Sequence, residues 1–120
     1  MRADLQCLVD RDYLETISGG DRDFERELFS VFVDTAGEMV HDITSAWLAQ
    51  DPERLARAAH KLKGSAKSIG LTRLGQLCYS IEMAGRENEP DRVSAEMLAE
   101  LKSLTQSVTD YLAEEYAQAA

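Results

Sequence analysis

Apolar positions in this chain return at three- and four-residue steps. No stretch alternates with period two, so the pattern predicts helices and no sheet. Four punctuation points interrupt it: Ser18-Gly19-Gly20-Asp21, Gln50-Asp51-Pro52, Ile69-Gly70-Leu71-Thr72 and Glu87-Asn88-Glu89-Pro90. Each joins Gly, Pro or a capping residue, as helix boundaries do. Five helical segments result. The first covers about 10–18, with Tyr13, Leu14 and Ile17 apolar and Gly19 suited to a left-handed stop; a turn around Asp4–Val9 is expected before it. The second covers about 22–49 behind an Asp21 N-cap. Its expected buried stripe is Phe24, Leu28, Val31, Phe32, Thr35, Met39, Ile43 and Trp47. The third covers about 52–69, capped by Asp51, with Pro52 at the first helical position and Glu53 facing the positive end of the dipole. The fourth covers about 72–87, with Leu74, Leu77, Cys78 and Ile81 inward. The fifth covers about 91–117, with Met97, Leu101, Leu104, Val108, Tyr111 and Leu112 inward. Short connections make successive helices antiparallel neighbours. The expected fold is all-α: an antiparallel four-helix bundle with a short additional N-terminal helix, one domain over residues 1–120.

Composition adds exclusions. A chain of 120 residues buries one continuous core without disulfides or a structural metal. No apolar run approaches the roughly 18 residues that span a bilayer. The start, Met1-Arg2-Ala3-Asp4-Leu5-Gln6, lacks the apolar core of a signal peptide. The expectation is a cytoplasmic, freestanding, monomeric protein. Cys7 and Cys78 lack metal-ligand spacing and read as reduced structural thiols. The formal charge of −9 argues against nucleic acid as a partner. Yet residues 54–86 carry Arg54, Arg57, Lys61, Lys63, Lys67, Arg73 and Arg86 against Glu82 alone. A basic island on an acidic body suits an anionic ligand or an acidic partner surface; an ordinary solvated face is the plainer alternative.

The third helix concentrates the chemistry. Leu55, Ala59, Leu62, Ala66 and Ile69 form one narrow seam that must face the core. Helical arithmetic at about 100° per residue places His60 near 140° from that seam, with Lys63 near 80°, Lys67 near 120° and Gly64 near 180°. His60 therefore points outward. Gly64 lies one turn along and removes bulk beside the imidazole. Lys63 and Lys67 flank the same face, are expected to be exposed, and would stabilise a phosphoryl group carried on the ring. Neutral imidazole is the nucleophilic form, and one nitrogen attacks while the other keeps its proton. Glu82 is the candidate to accept that proton's hydrogen bond. It stands level with His60 across the hairpin at Gly70, within about one turn. Gly75 could keep the fourth helix close. The competing readings are a solvated surface histidine and a plain boundary carboxylate. Ser65 falls off the His60 face and is expected to bond locally.

Ala59-His60-Lys61-Leu62-Lys63-Gly64-Ser65-Ala66, followed by Gly70, resembles the signature of histidine-containing phosphotransfer (HPt) domains. Gly19-Gly20-Asp21 with Phe24, Leu28 and Phe32, and Leu74, Leu77, Cys78 and Glu82, extend the resemblance over roughly residues 10–87. It implies a phosphoryl relay between a histidine kinase or hybrid kinase and the aspartate of a response-regulator receiver domain. No kinase or hydrolase activity of its own and no cofactor of its own is implied, the Mg²⁺ belonging to the receiver. It places the phosphoryl acceptor on His60, phosphate stabilisation on Lys63, close approach on Gly64 and imidazole orientation on Glu82. The resemblance implies Gln or Glu at that last position, and here it is Glu. Arg57, Lys61 and Lys67 complete the expected binding set.

Two other function classes compete. One is a phosphorylation-independent interaction or inhibitor module that binds a kinase or receiver. The other is a metal bundle suggested by Glu38-Met39-Val40-His41; a di-iron site needs two Glu-x-x-His pairs, and this chain has one.

Overall fold

The computed structural model describes residues 9–117. The expected turn therefore lies, apart from Val9, outside the described residues, as does Cys7. Five α-helices follow in order: α1 (Arg11–Ser18), α2 (Arg22–Leu48), α3 (Pro52–Ser68), α4 (Thr72–Arg86) and α5 (Ala95–Glu115), with a 3-10 turn at Pro90–Arg92. No strand occurs among the described residues.

The boundaries are set by side-chain caps. Asp10, Asp21, Asp51 and Ser94 accept hydrogen bonds from the backbone N–H groups of Tyr13, Phe24, Arg54 and Met97. Each such cap stabilises its helix by about 1 kcal/mol. Gly19 ends α1 at φ 64°, where its N–H reaches the Glu15 carbonyl. Gly70 turns the α3–α4 hairpin at φ 81°. Its carbonyl accepts the Asp10 N–H at 2.7 Å, which ties the entrance of α1 to the hairpin.

Helices α2 to α5 pack as a ring of neighbours, α2 on α3, α3 on α4, α4 on α5 and α5 back on α2. The α3–α4 hairpin is the most extensive pairing. It is close because Gly85 permits it: a Cβ there would stand 2.6 Å from the Pro52 carbonyl oxygen and 2.8 Å from the Ala56 nitrogen. Leu55, Ala59, Leu62 and Ala66 are fully buried, as the seam requires, and Leu74, Cys78 and Ile81 face them.

Helix α2 differs from expectation. Phe24 and Val31 are 45% and 57% exposed, and Thr35 is exposed too. The buried row is Phe29, Phe32, Ala36, Met39, Val40, Ile43 and Ala46, with Leu28 and Trp47 packed at its margin. Both rows have helical spacing; packing partners choose between them. Phe29 packs in a cluster of three rings with Tyr111 and Tyr116, whose centroids are 5.3 and 5.6 Å away in tilted contacts. In α1 only Leu14 is buried, while Tyr13 and Ile17 stay exposed. Helix α5 starts later than expected because Pro90 opens a 3-10 turn and Val93 is extended. The Val93 carbonyl accepts the Trp47 indole N–H at 2.8 Å. Leu98 fills the core there, with Met97 and Leu112 half-buried.

One charge inside the bundle was not foreseen. The buried Glu25 carboxylate accepts from Ser18 Oγ at 2.6 Å and Tyr116 OH at 2.9 Å, with the Arg11 and Arg22 guanidinium groups at 3.8 and 3.7 Å. It links α1, α2 and the end of α5, and its lone pairs are satisfied as a buried charge demands. No helix among the described residues is long and apolar enough to cross a membrane.

Candidate functional site

His60 stands at the middle of α3 with its side chain 60% exposed. Its backbone is fixed by the seam residues on either side, Ala59 and Leu62, which are buried. Across the hairpin, Glu82 occupies the α4 turn after Cys78 and is only 2% exposed. The short hairpin at Gly70 sets the two at the same height, and His60 Nδ1 lies 2.9 Å from Glu82 Oε2. With an ionised carboxylate as acceptor, Nδ1 carries the proton and donates it. Nε2 is the nitrogen left for chemistry, and the ring is anchored on its other edge.

Glu82 is a junction. Arg86, one turn on along α4, donates Nε and Nη2 to the same Oε2 at 2.9 and 2.6 Å. The Lys63 ammonium stands 2.7 Å from Oε1. That contact is an ion pair whose angles fall outside hydrogen-bond geometry, so Oε1 has charge compensation but no directed donor. Burial alone would raise the Glu82 carboxyl; the Lys63 ammonium and the hydrogen bonds from Arg86 and His60 outweigh it and hold the group at about 2. It is therefore a carboxylate throughout the physiological range.

Lys63 is not the exposed residue the helical arithmetic implied. Its side chain is only 18% exposed, folded against α4 between Glu82 and the ring of Tyr79, whose centroid is 5.3 Å from Nζ. A wheel fixes where Cβ points; a four-carbon stem then bends toward the buried carboxylate. Gly64 is open: a Cβ there would meet nothing within 4 Å. The fold itself does not need glycine at that position, although glycine in a helix costs about 1 kcal/mol relative to alanine.

The other basic residues spread around His60. Arg57 lines a cavity of about 490 Å³ beside His60, together with Pro52, Glu53, Ala56, Gly85 and Arg86. It also pairs with Glu53 at 3.8 Å. Lys61 lines a separate groove with Asp42, Arg54 and Arg57. Lys67 lies over Gly75, where an added Cβ would approach its Cγ to 2.8 Å, and lines a second groove with Tyr13, Gln76 and Tyr79. Ser65 does not bond within its own helix; its hydroxyl points to Met39 Sδ on α2 at 3.9 Å. Glu38 and His41 face solvent, and His41 Nε2 lies 3.4 Å from Ser45 Oγ.

A sequence model described as "Hpt domain" matches residues 27–117. The chain belongs to the Hpt domain family. This Hpt domain is 30% identical over 81 residues to the phosphorelay intermediate protein YPD1 of Candida albicans, covering 68% of this chain and 44% of that protein. It is 28% identical over 101 residues to multistep phosphorelay regulator 1 of Schizosaccharomyces pombe, covering 81% of this chain and 34% of that one. It is also 38% identical over 56 residues to the sensor protein TorS of Escherichia coli, covering 47% of this chain and 6% of TorS. The chain thus spans less than half the length of these curated relatives. Among solved structures, histidine-containing phosphotransfer protein B (HptB) of Pseudomonas aeruginosa superposes with a TM-score of 0.81 at 22% identity, over 91% of this chain and 94% of that one. That likeness shows the same helical-bundle fold.

In this Hpt domain the fold brings His60, Lys63, Gly64 and Glu82 together. Arg57 stays at the edge of the group, and Lys61 and Lys67 stand outside it. Two neighbours escaped the sequence reading. Arg86 is one turn from Glu82 on the same face, an i,i+4 acid–base pairing visible in the sequence. Tyr79 lies three residues before Glu82, so the same face repeat would have found it.

Proposed function

We propose that this chain relays phosphoryl groups: His60 takes one from an aspartyl phosphate of a receiver domain, or from a histidine kinase, and returns it to a second acceptor. The carrying observation is the division of the His60 ring, with Nδ1 held on Glu82 and Nε2 free on an exposed face. The neutral Nε2 lone pair attacks phosphorus in line. The bond from phosphorus to the aspartate oxygen breaks and leaves a carboxylate. The N–P bond forms as the ring gains positive charge, and the Glu82 carboxylate at Nδ1 stabilises that charge. Such transfer depends mainly on positioning and charge neutralisation. Lys63, three residues along the same helix, supplies a cation, and Gly64 leaves room for the partner's acidic pocket, which brings its own Mg²⁺. No step generates a phosphoryl group, so the chain is a relay rather than a kinase or hydrolase.

The partners are acidic receiver pockets and kinases, met in the cytoplasm by a monomer. The test is incubation with a phosphorylated receiver while acid-labile, base-stable label is followed on the chain. Label on the wild type and none on His60→Gln is expected. Label persisting on His60→Gln would defeat the assignment. Receiver binding without label would instead identify an interaction module.

A further inference from the structure

We propose that Tyr79 is a positioning residue for Lys63, its ring face holding the ammonium at the entrance to the His60 site. The functional part of this inference rests on the relay reading given above. Lys63 Nζ has two neighbours, Glu82 Oε1 at 2.7 Å and the Tyr79 ring at 5.3 Å from the centroid. The first contact lacks hydrogen-bond geometry. The second is within the roughly 6 Å at which a cation is attracted by the negative face of an aromatic ring. Tyr79 is half-exposed, 52%, so hydrophobic burial does not account for it. Its hydroxyl makes no hydrogen bond to the described residues. The ring face is therefore the part of this side chain with a partner.

The arrangement separates two roles among the cations around Glu82. Arg86 holds Oε2 through two N–H groups and remains the standing counter-charge of the buried carboxylate. Lys63 is bound by one misaligned contact and is the cation free to change partner. Once a phosphoryl group stands on Nε2, Lys63 exchanges Oε1 for a phosphoryl oxygen. Glu82 then keeps Arg86 and the His60 Nδ1–H. A lysine stem has four carbons and many rotamers. The Tyr79 ring, 5.3 Å from Nζ, restricts that freedom. Without the ring, Lys63 spends less time where the phosphoryl oxygens form.

The test compares Tyr79→Phe, which keeps the ring, with Tyr79→Leu, which keeps bulk and helix propensity but has no π face. Ring currents report the placement in the unphosphorylated protein: the Lys63 Hε protons should be shifted upfield by NMR in the wild type and Tyr79→Phe, and return to ordinary values in Tyr79→Leu. Single-turnover transfer from a phosphorylated receiver reports the consequence. Tyr79→Leu should lower the rate at saturating receiver by about three- to fivefold, the size of a partly exposed cation–π contact. Tyr79→Phe should stay within about twofold. Equal loss in both variants, a change confined to half-saturation by receiver, or unshifted Lys63 protons in the wild type would overturn the inference. Absence of label on the wild type would defeat the relay reading instead, and the Lys63 proton shifts would still decide the placement.

Discussion

Removing the Lys63 ammonium should destabilise the bundle as well as the chemistry. In Lys63→Ala, Glu82 Oε1 loses its sole partner among the described residues, in a side chain only 2% exposed. A buried acceptor left unsatisfied costs about 1–3 kcal/mol. An ion pair reaching solvent contributes at most about 1 kcal/mol. Lys63 is 18% exposed and its removal opens a path for water, so the lower half of that range applies, about 1–2 kcal/mol. A domain of ordinary stability, about 5–15 kcal/mol, stays folded after such a loss. Urea unfolding at pH 7, followed by circular dichroism, measures it. The background Glu82→Gln identifies the cause, because the Lys63 truncation should cost at least about 0.5 kcal/mol less once the carboxylate is gone. Equal midpoints and slopes for wild type and Lys63→Ala, or strict additivity in the cycle, would refute the reasoning.

Three further outcomes follow from the same contacts. Glu82 sits at about 2 in the fold against an ordinary 4.5, so its stabilisation is present above about pH 4.5 and is lost as pH falls toward 2; acid unfolding should show at most about 3 kcal/mol of this loss, absent in Glu82→Gln. Gly64→Ala should raise stability by up to about 1 kcal/mol, since the added methyl meets nothing, while slowing transfer from a receiver; a thermal melt and a transfer assay on the same variant check both signs. Gly85→Ala should destabilise by about 1–3 kcal/mol through collision with Pro52 and Ala56, and an unchanged urea midpoint would contradict the close α3–α4 contact.

Most helix boundaries were legible because local chemistry writes them: Asp21 and Asp51 cap as expected, and Gly19 and Gly70 turn at positive φ, whereas the Ser94 cap of α5 was hidden behind the 3-10 turn that Pro90 opens. The His60–Glu82 pairing was legible too, because a short hairpin fixes register to within a turn. The buried face of α2 was legible only in part: Phe32, Met39 and Ile43 are buried as expected, whereas Phe24, Val31 and Thr35 are exposed and Phe29, Ala36 and Val40 are buried instead. Two apolar rows share its length, and the aromatic residues Tyr111 and Tyr116 that select Phe29 come from the far end of the chain. The Lys63 position was missed for a different reason. A wheel assigns directions to Cβ atoms, while the ammonium of a long flexible stem goes to the strongest available charge. That charge, a carboxylate almost wholly buried and shared by three cationic or donor groups, is a tertiary property that no window of sequence displays.

The proposed transfer depends on which imidazole nitrogen carries the phosphoryl group. Phosphorylating ¹⁵N-histidine-labelled protein with a receiver phosphate and recording nitrogen–phosphorus couplings resolves this directly. A coupling at Nε2 of His60, with Nδ1 still protonated and hydrogen-bonded, is the predicted result. Phosphorus on Nδ1, or on His41 instead, would contradict the Glu82-anchored ring from which the mechanism is built.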